Sequence, residues 1–232
     1  MLEVTLEHVE GTLSRMQALM GLYGGKALFN TEKEVDVVKN MLSYHKKTGK
    51  LSVRQVRYYE HIANKYTQDK LDIETGWVDS YDSDKRLTAT RIARYYINNP
   101  PYFHVLASSI LEDPNFIVPS RAWEKFCNNK YAKKILNQYE QEDKFSKGDS
   151  IQIRGKNRVH RANYGKATYY SHEVKRYERS LANKPGIVLA ANCLPITEAF
   201  KGSKVYRVLL HGQIKPIYAY ESDLKKARFS KK

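Results

Sequence analysis

Cysteine is scarce in this chain. Cys127 and Cys193 stand far apart, and neither belongs to a CxxC pair. That spacing argues against a disulfide framework or a zinc site and makes a reducing interior the expectation. Long hydrophobic runs are missing too. No stretch approaches the roughly 20 apolar residues that a membrane-spanning helix needs. The opening MLEVTLEHVE carries acids where a signal peptide would carry an apolar core. A cytoplasmic chain with no membrane association is therefore expected.

Catalytic signatures are also lacking. The seven histidines form no HExxH or HxxxH, and there is no GxSxG elbow or glycine-rich dinucleotide loop. The run from Gly21 to Lys26 fails the phosphate-loop pattern. No glycine sits five positions before Gly25, and Ala27 stands where Ser or Thr would reach magnesium, so a glycine helix cap is the simpler reading. Counted from Asp79, the sixth and twelfth places of a calcium loop hold Asp84 and Thr90 instead of Gly and Glu. His211, near Lys215, could do acid–base work on phosphodiesters, but a solvated turn histidine is the simpler reading. The expectation is a chain that is not an enzyme and uses no metal or cofactor.

What the sequence has in excess is positive charge, +15 in all. The excess is local. Residues 145–232 hold 19 Lys and Arg against 6 Asp and Glu, a net +13, while residues 1–144 carry only +2. Such a concentrated field attracts polyanions, nucleic acid foremost. Anionic lipid or an acidic protein partner is the competing reading.

Before that basic third, apolar periodicity predicts helices. They cover 1–23, about 31–45 from a Thr31–Glu34 capping box, and about 52–68 from a Ser52–Gln55 box. A polar connection is expected over 69–87, anchored by Trp77. Further helices follow from Thr88 or Thr90 to Asn98, over 103–111, and over 121–139 with a break near Asn128 and Asn129. The second and third helices make an ordinary αα-hairpin or, less readily, a helix-turn-helix. His104 and Cys127 read as core or boundary residues.

After a charged boundary at 138–144, short strands are expected at 150–154, 187–190, 205–210 and 214–220. His211-Gly212 supplies a tight turn, and a single helical turn at 221–224 closes the series. Residues Lys147-Gly-Asp149, Gly186-Ile-Val188, the run from Tyr206 to Gly212 and the closing Glu221–Leu224 resemble an SH3-like barrel of the KOW, Tudor or ribosomal-protein sort. The resemblance covers about a third of the chain. It implies a small closed barrel from a superfamily that includes RNA, DNA, peptide and modified-tail binders, so the fold alone sets no function. This chain departs from that pattern by inserting about 30 residues between Arg154 and Pro185.

The insert interleaves cations with tyrosines, a composition suited to single strands or RNA loops, because cations neutralise phosphates and tyrosine faces stack on bases. The candidate binding cations are Arg154, Lys156, Arg158, Arg161, Lys166, Lys175, Arg176 and Arg179. The candidate stackers are Tyr164, Tyr169 and Tyr170, although some of the insert's tyrosines are expected to pack it onto the barrel. Residues 172–181 are expected to form a short helix with Lys175, Arg176 and Arg179 near one face. The fold expected is α+β, with a helical domain over 1–143 and an SH3-like barrel over 144–232 carrying its insertion at about 155–184. The expected partner is RNA or DNA, within a larger transcription, replication or translation assembly. The alternative is an adaptor that meets an acidic polymerase, helicase or ribosomal component.

Overall fold

The structure, a computed structural model, describes residues 4–24, 31–158, 160–163 and 172–227. It is a mixed α+β protein, with helices in the N-terminal part and an antiparallel sheet in the C-terminal part. The chain divides into two compact units, one of residues 1–86 with 113–124, the other of 87–112 with 125–232.

In the first unit lie α1 (Leu6–Leu22), α2 (Thr31–Thr48), α3 (Val53–Ala63) and α4 (Gln68–Asp79). The apolar stripes read from the sequence, joined by Leu51 from the turn between α2 and α3, form one core of Val9, Met16, Val35, Val38, Met41, Leu51, Tyr59, Ile62 and Tyr66. Burying each large side chain there contributes about 1.5–3 kcal/mol. The Ser52–Gln55 capping box that starts α3 is formed in both directions. Thr31 is already helical, and Glu34 accepts instead from Lys65 Nζ (2.6 Å) and Tyr66 Oη (2.7 Å), tying α2 to the region after α3. The polar connection expected over 69–87 is mostly helical, as α4 and then α5 (Ser83–Asn98). None of α4 is fully buried. It is held by specific anchors: Trp77 Nε1 donates to the Val118 carbonyl at 2.8 Å, and the Glu74 carboxylate accepts from Tyr23 and Ser120. Trp77, Tyr81 and Trp123 stack around that point, with ring centroids 5.4–6.0 Å apart.

The second unit takes the later part of α5, then α6 (His104–Glu112), the end of α7 (Ser120–Cys127) and α8 (Lys130–Glu140). The break expected near Asn128 and Asn129 is there. Asn129 Oδ1 caps α8 by accepting from the N–H groups of Tyr131 and Ala132. The strands are β1 (Ser150–Ile153), β2 (Pro185–Ala190), β3 (Val205–Leu210), β4 (Ile217–Tyr220) and β5 (Leu224–Lys226), with α9 (His172–Leu181) between β1 and β2. They form one antiparallel sheet in the order β4-β3-β2-β1-β5. The sheet is open, and no pairing of β4 with β5 among the described residues closes it. The turn expected over 221–224 ends at Asp223, and Leu224 opens β5. Leu224 is buried in the sheet core, and the strand completes the edge of β1. The core is Ile151, Ile153, Val188, Tyr206, Val208, Leu210 and their neighbours. At Gly186 the neighbouring strand comes so close that an added Cβ would lie 2.5 Å from the Leu209 carbonyl oxygen.

The division into units does not fall at the expected 143/144 boundary, for a physical reason. Helices that precede the boundary are bonded to the loops around the sheet. Tyr139 Oη accepts from the Ile196 N–H, Gln138 Oε1 from the Gly202 N–H, and Asn99 Nδ2 donates to the Thr197 carbonyl. Lys204, 3% exposed, pairs with Asp143 at 2.8 Å.

Candidate nucleic-acid interface

Helix α9 is amphipathic. Val174 and Leu181 are buried, and Tyr177 packs against the sheet core. At about 100° per residue, Lys175, Arg176 and Arg179 centre on the opposite side of the helix from that apolar stripe. All three are exposed. This is the expected helix, with the expected cations on one face.

The segment before it is tied to α9 by one side chain. Asn157 Nδ2 donates to the Arg154 carbonyl (3.1 Å) and to the Glu178 carbonyl (3.2 Å). The cations of 154–158 and those of α9 thus stand on connected backbone. Arg154 and Lys156 are exposed. Arg154 also donates through Nε to the Leu224 carbonyl at 3.3 Å, so part of its capacity serves the β1–β5 edge. Arg158 lies with its guanidinium 5.3 Å over the Phe200 ring, a cation–π contact that leaves its face in solvent.

Arg161 is different. It is half-buried and donates to Asn98 Oδ1, which makes it a tether to the end of α5. Tyr164, Lys166, Tyr169 and Tyr170 lie outside the described residues.

Beneath this surface sit groups that sequence reasoning did not assign to it. The Asp223 carboxylate, 8% exposed, accepts the Arg158 backbone N–H at 3.0 Å, while its own carbonyl accepts the Arg154 N–H at 2.8 Å. Burial pushes the Asp223 carboxyl up to about 6, against the opposing pull of the Arg158 N–H and guanidinium. His160 stood in the sequence among the insert's basic residues, but it is 5% exposed and packs edge-on to Tyr220, with centroids 5.2 Å apart. Its Nδ1 accepts the Ala162 N–H at 3.1 Å, which makes the ring neutral with the proton on Nε2. Burial first, and Arg161 second, hold its pKa down to about 4. It adds no positive charge at neutral pH. Glu198 is pushed up by burial and pulled back by Arg161 and Arg158, so it is the one acid facing these arginines from the β2–β3 loop.

The insert is also fastened to the sheet edge. The His160 N–H donates to the Tyr218 carbonyl at 3.3 Å, and Asn163, whose Nδ2 also donates to the His160 carbonyl, bonds β4 with both ends of its amide. Its Oδ1 accepts the Tyr218 N–H at 2.8 Å and its Nδ2 donates to the Tyr218 carbonyl at 2.7 Å. An otherwise open strand edge is thereby occupied.

The assembled surface offers cations with no carboxylate on the α9 outer face beyond Glu173 and Glu178 at its margins. It can neutralise a row of phosphates. Among the described residues no group of three or more His, Cys, Asp or Glu side chains is placed to hold a metal ion, and no helix is long and apolar enough to cross a membrane. No protein-family model matches the chain, and no curated protein or solved structure matches it.

Proposed function

We propose that this chain is a nucleic-acid-binding accessory protein that holds single-stranded or structured RNA or DNA on the basic face of its C-terminal unit. The observation that carries this reading is the outer face of α9. Lys175, Arg176 and Arg179 are exposed there, opposite a face already spent on the core. Three cations on a helix whose apolar side is buried have no packing role, and phosphate is the ligand that matches them. Arg154, Lys156 and Arg158 extend the surface through the Asn157 link. Arg161 acts in this reading by holding the insert in place. Tyr164, Tyr169 and Tyr170 are the proposed stackers and Lys166 a further phosphate contact.

The finer fold proposed is SH3-like. It is supported by the strand order, a meander with β5 returning beside β1, and by the single 3-10 turn Glu221–Asp223 between β4 and β5. The long β1–β2 connection, which carries α9, stands where such a barrel usually carries a shorter loop.

The test is fluorescence anisotropy with matched single-stranded RNA, single-stranded DNA and duplex at low and moderate salt. Wild type is compared with Lys175→Glu/Arg176→Glu/Arg179→Glu. Binding that is salt-sensitive and weakened in the folded variant supports the reading, and the ranking of ligands names the class. Absence of binding to all three at low salt overturns it and directs attention to an acidic protein partner.

A further inference from the structure

The first unit carries a second basic and aromatic surface, formed by different elements. Arg54, Arg57, Tyr58 and His61 recur on α3 at i, i+3, i+4 and i+7, which places them on one face. The buried residues of α3, Tyr59 and Ile62, belong to the core side. With Tyr44 of α2, the four residues line an open groove of about 770 Å³, floored by Met41. That volume falls in the range of ligand sites, about 300–1,000 Å³.

Three features of the groove point to one kind of occupant. No carboxylate lines it, and among the described residues neither Arg54 nor Arg57 has an ion-pair partner within 4 Å. The surrounding stretch 46–65 holds six Lys and Arg against one acid, Glu60, within a part of the chain that is otherwise close to neutral. Glu34, on α2, is engaged by Lys65 and Tyr66. Finally, the aromatic rings stand free of the core. Tyr44 is 44% and Tyr58 46% exposed, and Tyr58 lies nearly parallel to His61, at 22° with centroids 6.5 Å apart.

We infer that the α2–α3 groove is a second nucleic-acid site, taking a single strand with phosphates on Arg54 and Arg57 and a base stacked on Tyr58. Two guanidiniums spaced one helical turn apart match successive phosphates of a flexible strand. The tyrosine faces accept any base without reading its edge. A duplex, whose bases are stacked internally, uses only half of this surface. The site goes beyond the C-terminal reading and does not rest on it, because no residue of α9 or its loop lines the groove.

The experiment is photocrosslinking of the full chain to a single-stranded hexanucleotide containing 5-iodouracil, with adducts mapped by peptide mass spectrometry. Three proteins are compared: wild type, Arg54→Gln/Arg57→Gln, and Lys175→Gln/Arg176→Gln/Arg179→Gln. All five substituted side chains are exposed, and circular dichroism checks that each variant is folded. The expected result is an adduct on Tyr58 or Tyr44 whose yield falls about fivefold or more in the α3 variant and stays within about twofold in the α9 variant. Adducts confined to other residues, or a Tyr58 yield indifferent to the α3 substitutions, overturn the site. Loss of the Tyr58 adduct in the α9 variant overturns its independence. If the C-terminal reading alone is wrong, the α9 variant binds like wild type while the Tyr58 adduct persists.

Discussion

The Asp223 carboxylate holds the backbone N–H of Arg158 at 3.0 Å, fixing the start of the basic insert to the turn that precedes the last strand. The relationship is electrostatically expensive, because the acid is buried and its pKa stands near 6 instead of 3.8. Close by, His160 is buried in its neutral form with a pKa near 4 instead of 6.5. The two groups act in the same pH window with opposite sign. The folded pKa of Asp223 is raised, so its contribution is full below about pH 4 and is lost as pH rises through about 6. The folded pKa of His160 is depressed, so its contribution is full above about pH 6.5 and is lost as pH falls through about 4. Each shift corresponds to about 3 kcal/mol.

Wild-type stability therefore stays nearly flat between pH 4 and 6.5 as far as this pair decides it. Asp223→Asn keeps an acceptor for Arg158 and removes the charge. Its stability relative to wild type rises by about 3 kcal/mol across that window, read from urea denaturation at several pH values. A variant curve parallel to wild type contradicts the assignment.

Asn163 gives a second prediction. Its amide both donates to and accepts from the Tyr218 backbone, as a neighbouring strand would. Asn163→Ala leaves the Tyr218 N–H without its acceptor and the Tyr218 carbonyl with the His160 N–H alone, and costs about 1–3 kcal/mol in chemical denaturation. Asn163→Asp is no better, because its carboxylate then faces the Tyr218 and His160 carbonyls that Nδ2 now serves. Wild-type stability in both variants would show that the insert is not fastened there.

The sheet itself is tested at Gly186. A methyl group there meets backbone, with Leu209 O at 2.5 Å and Leu210 Cα at 3.0 Å, so no side chain can swing away to admit it. Gly186→Ala costs about 1–3 kcal/mol or separates β2 from β3 locally, seen as loss of amide protection at Ile187 and Leu209, the pair that faces across the two strands. Unchanged protection contradicts the pairing register.

Which elements were legible in the sequence follows from what holds each of them. Helix α9 and strand β3 were read with the observed bounds, because their apolar residues recur at 3.6 and 2 and those same residues are buried. Helix α4 reads as a loop in the sequence, because it buries no apolar stripe and is held by Trp77 and Glu74 reaching residues 41 and 46 positions away. β5 was missed because a single buried leucine precedes two lysines, a pattern without period that only pairing with β1 explains. In the interface, the exposed cations were legible as a charge count. The tether of Arg161 to Asn98 and the burial of His160 and Asp223 were not, since each depends on a contact made by distant chain.

The central claim, that the α9 face meets phosphates, is tested most directly by the salt dependence of binding to a single-stranded oligonucleotide. Each phosphate contact contributes about −0.7 to the slope of log K against log salt for single strands. Replacing Lys175, Arg176 and Arg179 together by glutamine should make the slope shallower by roughly 2. A slope identical to wild type would contradict the account, whatever the affinity of the variant.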